Sequence, residues 1–119
     1  MPERWLLERF VDAQSDGVFE QALAELRAGR KRGHWMWFIF PQQRDLGRSD
    51  MSRYYGLAGA SEAAAYLDHP LLGPRLRECV AVVRAEVVAG KSLEAIFGPL
   101  DARKFRSSLD IFGLPDPSG

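Results

Sequence analysis

Apolar residues recur every three or four positions along most of the chain, the spacing that places side chains on one face of an α-helix. A first helix is predicted to begin at Pro2 and Glu3, two residue types that favour a helix start. Its apolar face comprises Trp5, Leu6, Phe10 and Val11. A second helix with the same spacing follows, so the chain is expected to open with a helical hairpin.

The second helix is predicted to begin at a cap supplied by Ser15 or Asp16 and to end at Gly29. Its apolar face comprises Phe19, Ala22, Leu23 and Leu26. Glu20 and Glu25 are interpreted as positions on its solvated face.

Residues 35–40 form a run of six consecutive apolar residues, where periodicity does not separate a short buried strand from a short buried helix. We expect a helix, because the chain offers no second strand to pair with it. Pro41 ends this element, and the polar residues 42–53 are predicted to form a loop.

The second half of the chain predicts further helices. Ser61 is the expected cap of a short helix, which ends at the His69-Pro70 pair because the residue before proline avoids the helical region. The apolar face of that helix comprises Ala64, Ala65 and Leu67. The strongest helical stripe follows and ends at Gly90; it comprises Leu72, Leu76, Cys79, Val80, Val83 and Val87. Ser92 is predicted to cap a single turn through Phe97 and Asp101 to cap a last helix, whose inward residues are Phe105, Leu109 and Phe112.

These elements predict an all-α fold of about five to seven helices, some of them short. Residues 1–112 are expected to form one domain, and residues 113–119 a tail rich in proline and glycine. A length of 119 residues fits one domain. Apolar residues make up 46% of the chain and charged residues 27%, which excludes a disordered regulator.

Charge and cysteine content narrow the class of protein further. Sixteen basic and sixteen acidic residues cancel, so bulk charge does not indicate a nucleic-acid or membrane partner. Cys79 is the single cysteine, expected to be buried and inert, and it excludes an intramolecular disulfide. The longest apolar run is too short to span a bilayer. With no signal-peptide pattern, a cytoplasmic location is expected.

Basic and aromatic residues are concentrated in one segment, where Arg30, Lys31 and Arg32 precede His34, Trp35 and Trp37. Arginine pairs with phosphate and tryptophan stacks on rings, so this segment predicts a site for an anionic, nucleotide-like ligand. His34 is the candidate acid–base residue, because histidine titrates near neutral pH. The alternative is that the tryptophans pack in the core and the cations form a solvated helix end.

Four further residues complete the predicted ligand contacts: Gln42, Tyr54, Lys104 and Ser108. Lys104 and Ser108 are four apart, so they share a helix face on which an oxyanion could be held. A catalytic triad could be composed of Ser107 or Ser108, His34 and an aspartate. The sequence around these serines does not contain the strained nucleophile turn that would support it. No phosphate-binding glycine loop or metal-ligand spacing is present, so no cofactor or metal is expected. His69 is interpreted as a terminal cap.

The run GRKRGHWMWFIFPQ at residues 29–42 closely resembles the signature of a bacterial family, domain of unknown function 1810. Three further stretches match in order: residues 9–14, residues 65–76, and residues 96–98 with 104–108. The resemblance implies a compact, mainly helical single domain and carries no established activity, cofactor or catalytic residue. The chain departs from the family pattern at Gly33, where a small hydroxyl residue is expected, and after Ser108, where it looks shortened. The second departure makes self-association a further expectation.

Two classes of function follow from these residues. The first is a small domain that binds an anionic, nucleotide-like ligand, with hydrolase or transferase chemistry as an option. The alternative is a protein-interaction or regulatory module without catalytic activity, because exposed tryptophan and arginine anchor interfaces. Single-stranded nucleic acid would use the same residues, and zero net charge disfavours it.

Overall fold

The computed structural model describes residues 6–44 and 49–117, and within these ranges the architecture is all-α, as predicted. The described helices are α1 (Glu8–Ala13), α2 (Val18–Arg27), α3 (Met36–Ile39), α4 (Asp50–Tyr54), α5 (Ala60–Asp68), α6 (Leu72–Val88), α7 (Leu93–Phe97) and α8 (Pro99–Phe112). These are eight helices where five to seven were expected, because α4 lies in the segment predicted as a loop. The predicted start of the first helix at residues 2–5 lies outside the described residues.

Helices α6 and α8 organise the packing. Helix α6 packs against α2 and α5, α8 packs against α5 and α7, and α3 contacts both α1 and α8. The ring of Phe40 lies edge-on to that of Phe105, with 4.9 Å between centroids, and both side chains are fully buried. Helix α3 and the residues around it are thereby fixed against the face of α8.

The predicted apolar faces of the longer helices are confirmed. All four residues of the α2 stripe are buried, as are the three inward residues of α8. On α6 the stripe is buried except for Val87, which is half-buried. In α1, Phe10 is buried, but Leu6 precedes the helix and is 70% exposed, so its predicted place on the apolar face is wrong.

Three predicted helix starts are wrong, and glycine is the reason in each. Helix α2 begins after Gly17, which has a left-handed φ of 86°, and neither Ser15 nor Asp16 caps it through a side chain. Helix α5 begins at Ala60 after Gly59, so Ser61 lies inside the helix. Helix α8 begins at Pro99 after Gly98, which places Asp101 in the first turn. Glycine and a first-turn proline suit these positions without any side-chain cap.

The buried face of α5 also differs from the prediction. Glu62, Ala63 and Tyr66 are buried, whereas Ala64 is exposed. The cause is an ion pair, because Glu62 Oε2 lies 3.0 Å from Arg9 Nη1 and both side chains are buried. The charged pair therefore fixes which side of α5 faces α1.

Other local predictions are confirmed. Helix α5 ends at Asp68, and His69 Nδ1 accepts the Leu71 and Leu72 N–H groups at 3.1 and 3.2 Å, which is a capping role. The Ser92 hydroxyl caps α7 by accepting the Ala95 N–H at 3.0 Å. Cys79 is buried, and this burial raises the pKa of its thiol to about 12. None of the described helices is long and apolar enough to cross a membrane.

Candidate functional site

A groove lies between α4 and the first half of α8, with the segment after α3 between them. Its cavity volume is about 520 Å³, within the usual range of small-molecule sites. The lining residues are Trp37, Gln42, Gln43, Ser49, Ser52, Tyr55, Gly56, Leu100, Arg103, Lys104 and Ser107. They include two cations, several hydrogen-bonding side chains and two aromatic rings, and no carboxylate lies among these described lining residues.

The α8 wall carries the positive charge of the groove. Lys104 Nζ lies 4.2 Å from the centroid of the Trp37 ring and 3.3 Å from Asp101 Oδ1. Asp101 Oδ2 also pairs with Lys31 Nζ at 2.8 Å, so two lysines share one carboxylate. Together with Arg103, the described residues of this wall carry more positive than negative charge.

The segment after α3 is held in place from both sides. The buried Ser108 hydroxyl donates to the Pro41 carbonyl at 2.6 Å. The Leu57 N–H donates to the Gln42 carbonyl, and the Arg44 N–H donates to the Leu57 carbonyl, both at 2.7 Å. The backbone that carries Gln42 into the groove is therefore fixed to α8 and to the segment after α4.

The side-chain amide of Gln42 is the unusual polar group of the groove. Its Nε2 atom is buried and has no hydrogen-bond partner among residues 6–44 and 49–117. An unpaired buried donor costs about 1–3 kcal/mol relative to a satisfied one.

The α4 wall is positioned by Arg9. Its guanidinium donates to the carbonyls of Tyr54 at 2.7 Å and Gly56 at 3.0 Å, and to Glu62. Glu62 Oε1 in turn accepts the Ala58 N–H at 2.7 Å. Gly56 packs against the Arg44 backbone so closely that a Cβ atom would clash with it. This wall is thus built by a buried ion pair and one close backbone approach.

Tyr55 presents a half-buried aromatic side chain to the groove. Its ring centroid lies 5.3 Å from that of Phe38, a residue of α3. Burial, with a smaller contribution from the neighbouring Tyr54, raises the pKa of Tyr55, so its hydroxyl stays protonated and able to donate.

Of the predicted basic–aromatic segment, only Trp37 lines the groove. Trp37 lines the groove with Gln42 and Lys104, which sequence reasoning also selected. Trp35 is 3% exposed, and its Nε1 donates to Glu25 Oε1 at 2.9 Å. Trp35 therefore belongs to the core and offers no ring face to a ligand.

The basic residues of that segment do not converge on the groove. Lys31 is nearly buried between Asp101 and the Gly33 carbonyl, which makes it a structural ion-pair residue rather than a ligand contact or a solvated cation. Arg30, Arg32 and His34 are exposed and line no part of this groove.

Two other predicted contacts, Tyr54 and Ser108, lie outside the groove. Tyr54 is 57% exposed and lies outside the groove, where its neighbour Tyr55 takes the lining position. Ser108 is fully buried with its hydroxyl engaged by Pro41, so it cannot hold an oxyanion with Lys104. Ser107 lines the groove instead.

Sequence reasoning missed the role of Glu25, which it placed on a solvated face. The Glu25 carboxylate is buried, and its Oε1 accepts the Arg32 and Gly33 N–H groups at 2.7 and 2.8 Å as well as the Trp35 indole. Burial acts to raise its pKa, but hydrogen bonds from Gln21 and these groups outweigh it and lower the pKa to about 2. The signal available in the sequence was its position, three residues after Ala22 and directly before Leu26, both of which are buried in α2.

A second cavity, of about 590 Å³, runs along α6 and is lined by Arg77, Val80, Ala81, Arg84, Ala85, Val88, Leu114 and Pro115. Its walls are mostly apolar and hold none of the predicted site residues. The groove at α8 has the few convergent polar groups that are typical of ligand sites, and it is therefore the candidate site.

The described residues thus define a small all-α domain with a groove lined by two cations and two aromatic rings. The family model described as "Protein of unknown function (DUF1810)" matches residues 4–118, and the chain belongs to this family. The chain is similar to the crystal structure of the conserved hypothetical protein Rv1873 from Mycobacterium tuberculosis, with 54% sequence identity and a TM-score of 0.85. That match covers 90% of this chain and 74% of that chain. No curated protein matches the chain significantly.

Proposed function

We propose that the groove binds a small anionic molecule that carries a flat ring, of the nucleotide type. The observation that supports this proposal is the composition of the groove: its described lining residues include two cations and two aromatic side chains and no carboxylate. Structural packing alone does not require these groups to line one cavity.

Each wall has a distinct role in this proposal. Ser107 lies four positions after Arg103 and three after Lys104, so it neighbours both cations on α8, and all three supply hydrogen bonds to a phosphate. Trp37 and Tyr55 supply ring surfaces against which a base packs. His34 lies outside the groove, so the proposal is one of binding; hydrolysis or group transfer stays a prediction to be tested by turnover.

The experiment is a thermal-shift screen followed by calorimetric titration with nucleoside monophosphates, ADP-ribose and inorganic phosphate. A ligand that binds the native state raises its melting temperature by mass action. We expect a nucleotide to bind and the Arg103→Ala and Lys104→Ala variants to lose about tenfold or more in affinity, as charge-assisted contacts do.

Arg30→Ala and Arg32→Ala are matched controls, because each removes one exposed cation outside the groove. Their affinities are expected to stay within about twofold of the original chain, since distant surface charges contribute little. Equal losses in the two pairs of variants would mean that the groove cations contribute no more to binding than exposed cations outside the groove, which would contradict the proposal. No binding of any compound would contradict it as well.

A further inference from the structure

We infer that the cavity along α6, called here the α6 groove, is a docking site for an amphipathic helix of a partner protein. That helix carries acidic residues two turns apart beside its apolar face. The α6 groove has a volume of about 590 Å³ and shares no lining residue with the groove at α8, so this inference is independent of the proposed function.

The walls of the α6 groove are mostly apolar and open to solvent. Val80 is buried and Leu114 is half-buried, whereas Ala81 and Ala85 are exposed and lie one helical turn apart. At the end of α6, Val88 is 81% exposed. Small side chains let a second helix approach α6 closely, and an exposed apolar surface bordered by polar residues is typical of an interaction site.

Both charged residues among the described lining of the α6 groove are arginines. Arg77 and Arg84 are exposed, and neither guanidinium forms an ion pair or a hydrogen bond with another residue that the structure describes. The neighbouring carboxylates are engaged elsewhere, because Glu78 pairs with a residue of α2 and Asp116 pairs with Arg106, each at 3.4 Å. Charge complementarity therefore favours an acidic partner.

The spacing of the two arginines points to a partner that is helical. Arg77 and Arg84 are seven positions apart in α6, which places them on one face and about 10.5 Å apart along the helix axis. A partner helix with two acidic residues seven positions apart repeats that distance, and its apolar residues between them lie over the apolar wall. An extended peptide instead needs a sheet edge for its main-chain hydrogen bonds, and the described lining residues form no strand.

Charge and spacing disfavour two other occupants of the α6 groove. A second copy of this chain packed through the same groove about a twofold axis would bring the arginines of one copy against those of the other. A fatty acid carries one carboxylate at the end of its chain, whereas the two cations are separated by about two helical turns.

Selection from a displayed library of helical peptides tests the inference with the full chain as the target. Each peptide has a fixed stripe of leucine, and the positions that flank the stripe vary among glutamate, lysine and glutamine. We expect selection to enrich peptides with glutamate at two positions seven apart. Enrichment of lysine, enrichment without a charge preference, or no enrichment over a target with a blocked groove would overturn the inference.

Ala81→Trp blocks the groove, because it places a bulky side chain on an exposed lining position. Its affinity for the strongest selected peptide, measured by fluorescence anisotropy, is expected to fall about tenfold or more. Ala64→Trp is the matched control, since Ala64 is exposed on α5 and lines neither cavity, and it should bind as the original chain does. Equal affinities of the two tryptophan variants would place the peptide outside the α6 groove and contradict the inference.

Charge reversal provides a second test, which does not depend on the folding of Ala81→Trp. Arg77→Glu combined with Arg84→Glu should weaken binding of the acidic peptide about tenfold or more and should favour a peptide with lysine in place of glutamate. Arg30→Glu, an exposed cation outside both cavities, should change either affinity by no more than about twofold. An unchanged preference for the acidic peptide in the folded double variant would refute the role of the two arginines.

Two further measurements detect the disfavoured occupants. Palmitate is titrated in place of the peptide, and sedimentation measures whether the chain forms a dimer that Ala81→Trp dissociates. Either result, obtained without binding of an acidic peptide, would overturn the inference in favour of that occupant.

Discussion

At the scale of single residues, Glu25 organises the loop between α2 and α3. One carboxylate oxygen receives two backbone N–H groups and the Trp35 indole, which fixes the course of residues 30–35. The Lys31–Asp101 ion pair then ties this loop to the first turn of α8. The loop that carries Arg30, Arg32 and His34 is thus held to α2 and α8 by these contacts.

The pKa of Glu25 makes the stability of the protein depend on pH. Because folding lowers this pKa from 4.5 to about 2, the contribution of Glu25 is fully present above pH 4.5 and is lost as the pH falls toward 2. The expected loss across this window is about 3 kcal/mol of unfolding free energy. Urea unfolding followed by tryptophan fluorescence between pH 2 and pH 5 measures it.

Glu25→Gln should flatten that pH dependence, because the amide does not titrate. Glu20→Gln is the matched control, since Glu20 lies on the exposed face of the same helix. An unchanged pH profile in Glu25→Gln would show that other carboxylates cause the acid sensitivity.

At the scale of elements, adjacent residues of α8 lie in different environments. Ser108 is buried and donates to Pro41, whereas Ser107 lines the groove. Ser108→Ala is expected to destabilise the protein by about 1–3 kcal/mol, because a buried carbonyl loses its donor. Ser107→Ala should leave stability within about 0.5 kcal/mol, as surface substitutions do, and weaken binding of a phosphate-bearing ligand.

Chemical denaturation and calorimetric titration of the two alanine variants distinguish these roles. Equal stability losses in both variants would contradict the assignment of Ser107 to the groove. Loss of binding in Ser108→Ala alone would indicate that the position of Gln42, rather than a contact from Ser107, controls affinity.

Successive side chains rotate around a helix axis, and this rotation explains which features of the fold the sequence could predict. The 3.6-residue period predicted the buried faces of α2, α6 and α8, because each needs one continuous apolar stripe. It did not predict the starts of α2, α5 and α8, because glycine before a helix leaves no side-chain signal. Trp35 and Trp37, although close in sequence, are two positions apart and do not share a helix face.

At the scale of the whole molecule, the groove combines residues from α3, α4 and α8 that are far apart in the chain. Spacing placed Lys104 and Ser108 on one face, yet which side of α8 meets the groove depends on Phe105 and its neighbours packing inward. Gln42 and Trp37 could be selected from composition, but Arg103, Ser107 and Tyr55 became site residues only through tertiary packing. The types of residues along the chain therefore predicted some residues of the candidate site. The others could be identified only from the folded structure.

The buried Arg9–Glu62 pair shows how stability and the site are joined across the molecule. Arg9 connects α1 to the end of α4 and to α5, and it holds the carbonyls of Tyr54 and Gly56 on either side of Tyr55. Arg9→Met is expected to cost about 3–5 kcal/mol of unfolding free energy, because it leaves the Glu62 carboxylate buried without its counter-ion. It should also weaken ligand binding by loosening the α4 wall.

A double-mutant cycle with Glu62→Gln tests whether the uncompensated charge is the cause. The amide is neutral and can still accept the Ala58 N–H, so adding Glu62→Gln to Arg9→Met should recover about 1 kcal/mol or more. The exposed Arg106–Glu94 pair is the control, and its removal should cost less than about 1 kcal/mol. If Glu62→Gln destabilised the Arg9→Met protein as much as it destabilises the original chain, the two residues would act independently. The fold of α5 against α1 would then depend on Glu62 through its bond to Ala58 rather than through the ion pair.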